Sequence, residues 1–367
     1  MSSGGVAQLV AVGAQDAFLV GEPEVSFFQS AYKRHTNFSQ VVGRQILQGN
    51  PTPGGMTTVR FERNGDMLGF VYLVAAFNNG PTLTSFSTSN WSNIISHAEL
   101  YIGGQLIDRQ ESVFTEFLAP ELFATTLGKS SLGSLHGGYN TQSYFYPFRF
   151  WFCENWQCAL PLIALQYHDI EIRIYWNAGL NTNPASQGDI AAPNQIVKWD
   201  LYAQYIFLDT NERKMMADKT HNLLITQVQR MAPNMNQIMP IVFNHPVKYI
   251  CSTPGVSGVS NLTSTSNQLL LQINGTDVGE PKFACPNFTA VQSYYFAPYS
   301  YGNDTNYFLY SFGLETSKFQ PTGTLNFSRL DSVRIVSQNG IITHHVYGVN
   351  YNILKVQNGM GGLMYSN

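Results

Sequence analysis

Apolar side chains recur at every second position in several separate stretches of this chain. The alternating stretches are residues 170–176, 197–207, 308–314 and 347–353. Successive side chains of an extended strand point to opposite faces, so each stretch predicts a strand with one face on a core. The other face is expected to meet solvent or a second layer. The chain is therefore predicted to be rich in β-structure.

Long polar stretches separate these strands. They are rich in Gly, Pro, Asn and Ser, the residues that favour turns, and they cover residues 81–92, 128–140, 177–194 and 252–267. Many strands, long loops and little helix are typical of β-sandwiches or jelly rolls. The alternation by itself predicts only that both halves of the chain are rich in β-structure.

One charged segment, DTNERKMMADKTH at residues 209–221, breaks the alternating pattern. It contains good helix formers, and Asp209 is a suitable N-cap residue. A short helix between two β-regions is a natural domain junction. We therefore predict an N-terminal arm at 1–24, a first β-domain at 25–210, a helical linker at 211–221 and a second β-domain at 222–367.

Charged residues make up only 12% of the chain, about half of the roughly 25% usual in soluble proteins. Its surface must therefore be built mainly from neutral polar side chains, which suits close packing against neighbouring molecules. The net charge is −3, and no run of basic residues is present. We expect no direct contact with nucleic acid.

The sequence also indicates the redox environment in which the protein folds. Its start lacks the basic segment and apolar core of a signal peptide, and cysteines are few, which together indicate a reducing environment. The longest apolar run, Met67–Phe77, is shorter than the about 20 residues that a membrane-spanning helix needs. We predict that this run forms a buried strand.

No residue pattern predicts catalysis. Cys153 and Cys158 lie in an aromatic, strand-like block and lack a second ligand pair for zinc. The eight histidines are scattered, so we interpret them as structural or surface residues. Asp169 and Glu171 share a strand face, an arrangement that would suit the paired carboxylates of a glycosidase, but such pairs on a solvated strand are usually plain surface. We predict no enzyme activity, no metal and no cofactor.

Six longer blocks resemble the major capsid protein family of nucleocytoplasmic large DNA viruses. The N-terminal block is GAQDAFLVGEPEVSFFQSAYKRHTNF at 13–38, and the central block is YPFRFWFCENWQCALPLIALQYHDIEIRI at 146–174. The block between the two β-regions is YIFLDTNERKMMADKTHNLLITQVQ at 205–229. The C-terminal blocks are YSFGLETSKFQPTGTLNFSRLD at 310–331, VYGVNYNILKV at 346–356 and NGMGGLMYSN at 358–367.

The resemblance implies an all-β fold of two consecutive eight-stranded antiparallel jelly rolls, with a short inter-domain helix and an N-terminal arm. It implies a homotrimer that forms a pseudo-hexameric capsomer and tiles an icosahedral shell. The implied partners are neighbouring capsomers, minor capsid and penton proteins, and inner membrane proteins. The implied location is the virion capsid, assembled in the host cytoplasm.

Two groups of residues are candidates for contacts between subunits. Lys33, Arg34 and His35 form a basic cluster at the start of the first β-region. Met360, Leu363 and Tyr365 lie in a glycine-rich tail, where apolar side chains are costly unless they are buried. We expect this tail to pack into the base of the subunit or against a neighbour.

Two other functions fit the same β-rich sequence. The first is a carbohydrate-binding β-sandwich, or a glycosidase built on one, because aromatic residues make up 13% of the chain and can stack on sugars. The second is a lectin-like attachment protein outside the virion. A sugar-binding monomer in solution would favour either of them over a capsid protein.

Overall fold

The computed structural model describes residues 3–77, 91–126, 129, 144–178, 180, 197–255, 260–300 and 307–366. The chain divides into two compact units, Met1–Asn37 and Phe38–Asn367. The first unit contains helix α1 (Ser3–Val10), a 3₁₀ turn (Ala14–Asp16) and helix α2 (Ala17–Val20). Its apolar side chains are largely exposed, including Phe18, Phe27 and Phe28.

The second unit is built mainly from strands. Those before the inter-region helix are β1 (Phe38–Gln45), β2 (Leu47–Gln48), β3 (Met56–Arg60), β4 (Met67–Phe77), β5 (Ile95–Ile102), β6 (Gln105–Glu111), β7 (Tyr144–Pro147), β8 (Leu160–Pro161), β9 (Ile170–Trp176) and β10 (Val197–Leu208). Those after it are β11 (His221–Met231), β12 (Ile238–Pro240), β13 (Pro246–Ser252), β14 (Gln268–Ile273), β15 (Thr276–Asp277), β16 (Lys282–Phe283), β17 (Phe308–Ser311), β18 (Leu325–Asn326), β19 (Val333–Ser337), β20 (Val346–Gln357) and β21 (Met360–Leu363).

The helices of this unit are short. They are α3 (Trp91–Ile94), α4 (Ala119–Leu122), α5 (Trp151–Glu154), α6 (Thr210–Asp218), α7 (Ala284–Asn287) and α8 (Ala290–Phe296), with a π-helical turn at Phe114–Leu118 and 3₁₀ turns at Trp156–Cys158 and Phe327–Arg329. Helix α6 is the predicted inter-region helix, and the Asp209 carboxylate accepts a hydrogen bond from Thr210 N (2.8 Å) at its start. The domain bounds given above stay predictions.

Four antiparallel sheets form two sandwiches with the same strand order. In the first sandwich, sheet A runs β1-β10-β4-β7 and sheet B runs β2-β3-β9-β5-β6. In the second, sheet C runs β11-β20-β13-β17 and sheet D runs β12-β19-β14-β15. Apart from the short strands β2, β8, β16, β18 and β21, the eight strands of each sandwich match one for one in order.

Each sandwich closes over its own apolar core. Strand β9 alternates as predicted, with Ile170, Ile172, Ile174 and Trp176 buried in the first core. The second core contains Ile250, Leu269 and Ile335 among others. Burial of a large aliphatic side chain contributes about 1.5–3 kcal/mol, so these faces determine which side of each strand points inward.

Several details differ from the sequence predictions. Phe207 and Leu314 were predicted to face a core, but both are exposed, since Phe207 lies one residue before the end of β10 and Leu314 lies beyond the end of β17. Strand β4 is present as expected, yet Phe70 on its outer face is 40% exposed. The block around Cys153 and Cys158 is helical rather than strand-like, since α5 and a 3₁₀ turn occupy it.

A glycine-rich segment, residues 359–364, ties the second sandwich to the first; we call it the C-terminal strap. Within it, β21 pairs with β20. The strap also contacts the first sandwich, because Gly359 O accepts a hydrogen bond from Tyr167 N (2.9 Å) and Gly361 O lies 2.8 Å from His168 Nδ1. The tail therefore packs within its own chain.

Glycine is required in the strap because the two surfaces approach closely. A Cβ atom on Gly361 would lie 2.6 Å from Leu165 Cδ2 and 3.3 Å from Ile102 Cγ2, both in the first core. A Cβ atom on Gly362 would meet only the end of the flexible Gln105 side chain, at 3.1 Å. Gly361 thus faces packed side chains of the first core, whereas Gly362 faces a side chain that can move aside.

We expect Gly361→Ala to destabilise the protein by about 1–3 kcal/mol, because the added methyl group overpacks the first core. Gly362→Ala serves as the matched control and should stay within about 1 kcal/mol of wild type. Urea unfolding followed by tryptophan fluorescence measures both. Equal stability of the two variants would show that the strap does not press on Leu165.

Candidate assembly surfaces

The described residues offer little that resembles a reaction centre. No three His, Cys, Asp or Glu side chains among them lie close enough together to hold a metal ion. Asp169 forms ion pairs with Arg60 and Arg63, and Glu171 pairs with Arg173. None of the described helices has the length and apolar character needed to cross a membrane. The candidate functional features considered next are contact surfaces of the two sandwiches.

The best-formed contact surface joins the two sandwiches within one chain. Strand β6 lies at the edge of sheet B and β11 at the edge of sheet C, and the two strands are in contact. The buried Asp108 carboxylate of β6 accepts a hydrogen bond from Val228 N of β11 (2.9 Å). On the same strands, the Gln227 side chain donates to Ile107 O.

A second carboxylate strengthens this junction. Glu111, at the end of β6, accepts a hydrogen bond from Tyr347 OH (2.8 Å) and forms an ion pair with Arg230. One side chain of the first sandwich therefore holds two strands of the second. Because Arg230 is partly exposed, the hydrogen bond inside the junction contributes more reliably than the ion pair.

Apolar packing completes the junction. We call the helical segment that follows β6, residues 114–122, connection 1. Its Phe114 and Leu118 pack against Tyr249 of β13 and Tyr347 of β20 on the outer face of sheet C. Tyr249 and Tyr347 are 0% and 1% exposed. Sheet C is thus covered on both faces, which explains the unbroken burial of residues 346–352.

Burial also alters the charge of the junction. Desolvation raises the pKa of Asp108 to about 7, although hydrogen bonds from Val228, Gln110 and Arg109 oppose the shift. Burial therefore favours the protonated form of this carboxyl group at pH values where an exposed aspartic acid is ionised. Its environment makes folding and protonation interdependent.

The equivalent segment of the second sandwich is exposed. We call residues 284–296, which follow β16 and contain α7 and α8, connection 2. Tyr294 and Tyr295 on α8 are 80% and 69% exposed, and their rings pack edge to face with centroids 5.1 Å apart. Ala297, directly after α8, is buried beside connection 1. The helix is therefore anchored at one end while its tyrosines face outward.

An aromatic row lies on the outer face of sheet A. Tyr72 of β4 stacks on Tyr202 of β10 (ring centroids 5.4 Å apart) and meets Phe145 of β7 edge to face (6.2 Å). Phe70 extends the row next to Tyr72. These side chains are partly exposed, whereas the corresponding face of sheet C is buried. We call this surface the sheet A row.

The residues predicted for subunit contacts fall into two groups. Lys33, Arg34 and His35 belong to the first unit and are exposed, with His35 Nδ1 2.8 Å from Thr36 O. Met360, Leu363 and Tyr365 lie in or next to the C-terminal strap. Leu363 packs against the first core, while Met360 and Tyr365 are half-exposed. Their contact with another subunit stays a prediction.

Sequence reasoning missed the junction residues. The segment QLIDRQE of β6 has the polar composition of an exposed strand, and nothing local marks Asp108 or Glu111 as buried. The exposed tyrosine pair at 294–295 was a usable signal, because adjacent aromatic residues on a short helix cannot both face its own core.

Two family models match the chain. One, described as “Major capsid protein N-terminus”, covers residues 26–209. The other, described as “Large eukaryotic DNA virus major capsid protein”, covers residues 260–362.

Curated relatives match over the full length. The major capsid protein of Pyramimonas orientalis virus is 33% identical, with 99% of this chain and 100% of the relative covered. The major capsid protein of Paramecium bursaria Chlorella virus 1 is 29% identical, with 100% of both chains covered. These relatives are structural proteins, which confirms the prediction that the chain is not an enzyme.

Solved structures share the fold. A chain from a quasi-atomic description of the PBCV-1 virus capsid aligns with a TM-score of 0.77 and 24% identity, covering 93% of this chain and 100% of that chain. The Faustovirus major capsid protein aligns with a TM-score of 0.64 and 11% identity, covering 94% of each chain. The double jelly-roll prediction is confirmed.

The raised pKa of Asp108 gives a pH-dependent contribution to stability. Between its unfolded value of 3.8 and its folded value of about 7, the folded state binds a proton that the unfolded state has lost. Stability from this group is therefore complete below about pH 4 and is lost as the pH rises to about 7, by up to about 1.4 kcal/mol per pH unit. Asp108→Asn should remove this slope.

The measurement is the free energy of urea unfolding at several pH values from 4.5 to 7.5. The curve for wild type minus that for Asp108→Asn should fall as the pH rises. Asp331→Asn, at an exposed aspartate, is the control and should track wild type. A flat difference curve for Asp108→Asn would mean that the junction carboxyl titrates normally.

Proposed function

Since the chain belongs to the family of large eukaryotic DNA virus major capsid proteins, we propose that three copies assemble into a pseudo-hexameric capsomer. Such capsomers tile the faces of an icosahedral shell, and the virion capsid is where the protein acts. Each copy supplies two sandwiches, so three copies place six around one axis.

The observation that carries this proposal is the match between the two sandwiches. Their eight principal strands follow the same order, and a buried junction holds them together within one chain. A pair of like modules fixed in one relative orientation is the unit from which a pseudo-sixfold ring can be built by a threefold axis. Function then lies in the contacts between modules and not in chemistry at a site.

The charge balance supports a shell protein rather than a genome-binding one. The chain has a net charge of −3 and only 20 Lys and Arg in 367 residues. Proteins that bind nucleic acid directly gain most of their affinity from clustered positive charge. The proposed partners are neighbouring capsomers, minor capsid and penton proteins and inner membrane proteins, with assembly in the host cytoplasm.

The two predicted contact groups have separate places in this proposal. Lys33, Arg34 and His35 lie beyond the predicted arm of residues 1–24, at the start of the first β-region, where we propose a contact near the base of the first jelly roll. Met360 and Tyr365 leave part of their surface free beside the strap, where a neighbouring subunit can cover it. Leu363 contributes indirectly, because it packs inside its own chain.

Light scattering on a gel-filtration column tests the oligomeric state. We expect a mass of about three times 40.9 kDa over a wide range of protein concentration, because an obligate capsomer interface should not dissociate on dilution. Electron microscopy of the same fraction should show hexagonal outlines. A monomer at every concentration would contradict the proposal.

A further inference from the structure

We propose that the trimer is closed by repeating between copies the contact that joins the two sandwiches within one copy. Connection 2 and the β15–β16 edge of one copy would pack on β1 and the sheet A row of the next. This inference rests on the proposed homotrimer and assigns its interface.

The strand order makes the two contacts equivalent. Within one chain, β6 ends sheet B, and connection 1 follows it and covers sheet C of the second sandwich. In the second sandwich, β15 takes the place of β6 at the end of sheet D, and connection 2 follows at the same point of the strand order. Sheet A holds the position in the first sandwich that sheet C holds in the second.

The receiving surfaces differ in whether they are covered. On sheet C, β13, β20 and β17 are buried under connection 1. On sheet A, the matching strands β4, β10 and β7 carry the partly exposed Phe70, Tyr72, Tyr202 and Phe145. The edge strand β1 is exposed along seven of its eight residues to a full or intermediate degree, including Val41 and Val42.

The donating surfaces show the same contrast. Phe114 and Leu118 of connection 1 are 0% exposed, because the second sandwich of the same chain covers them. Connection 2 holds Val291, Tyr294 and Tyr295 in exposed positions on an anchored helix. Phe283, at the end of β16, is exposed as well. Both halves of the proposed contact therefore leave apolar side chains uncovered.

The chemistry of the two surfaces is complementary. Tyrosine and phenylalanine rings of connection 2 and the sheet A row can pack edge to face, as Phe114 does with Phe123 and Tyr347 in the existing junction. Asp277 of β15 and the following Glu280 are exposed at the donating edge, and the edge strand β1 carries the exposed Arg44, which forms an ion pair with Asp200 of its own sheet (2.6 Å). Acidic groups thus come from the donor and a basic group from the receiver, as Glu111 and Arg230 do within the chain.

The contact is head to tail, because it uses different surfaces on the two copies. Such contacts generate closed rings when the rotation per copy divides a full turn, and otherwise open filaments. A ring of three copies contains six sandwiches. It closes when the contact from one sandwich to the next is the same within a copy and between copies. We therefore assign a second copy of this chain as the occupant of both surfaces.

Site-specific photo-cross-linking tests the assignment in the full-length protein. Tyr294 is replaced by p-benzoyl-L-phenylalanine, the purified protein is irradiated, and cross-linked peptides are identified by mass spectrometry. We expect links between copies to peptides that contain residues 70–74, 145–147 or 200–204. The same label at Trp156, which is 76% exposed, is the control and should not link to those peptides.

A charge-introducing variant gives an independent readout. Tyr294→Glu with Tyr295→Glu should raise the dissociation constant of the trimer by at least about tenfold, since charges would be buried against aromatic rings. Leu314→Glu, at another exposed apolar position, should leave the trimer intact. Circular dichroism checks that all variants keep the β-fold.

The outcomes separate the two proposals. A wild-type trimer that links from Tyr294 to other regions, or that tolerates both glutamates, overturns this interface and leaves the homotrimer standing. A monomeric wild type overturns the homotrimer and the interface together. Links to the sheet A row with loss of trimer in the glutamate variant establish the interface.

Discussion

The buried contact between β6 and β11 sets the relation between the two sandwiches. An unpaired backbone N–H in an apolar junction is costly, and Asp108 satisfies the amide of Val228 while burying its own carboxyl group. At the same junction, Glu111 adds a hydrogen bond and an ion pair, and connection 1 adds an aromatic cluster. The two sandwiches are therefore joined by a buried contact as well as by the helical linker.

This junction explains why the two sandwiches are alike in topology but unlike in surface. Sheet C is an inner layer, with a core below and connection 1 above, so the polar Asn350 and Asn352 of β20 are buried and donate hydrogen bonds to Gln227. Sheet A has a core on one side only. Its aromatic row is partly exposed among the described residues, which is consistent with the contact between copies that we propose.

The sequence predicted the parts of the fold that depend on local pattern. Strand β9 alternates because its outer face carries Glu171, Arg173 and Tyr175, which tolerate partial exposure, and Asp209 caps its helix through an adjacent amide. Residues 347–353 were predicted to form a strand with one face on a core and the other on solvent or a second layer. In the structure, that second layer is connection 1. Asp108 was not predictable, because its partner Val228 lies 120 residues away. The helical turn at Cys153 was missed because its aromatic neighbours are typical of strands.

The C-terminal strap has a consequence for the order in which the protein is made. A ribosome releases residues 359–364 after every other strand, yet these residues lie on Leu165 and His168 of the first sandwich. The first sandwich therefore receives its last contact only when synthesis has passed the second. A nascent chain that stops before residue 359 lacks the contacts of the strap with the first sandwich. Only copies translated through the strap can therefore form the complete set of contacts between the two sandwiches.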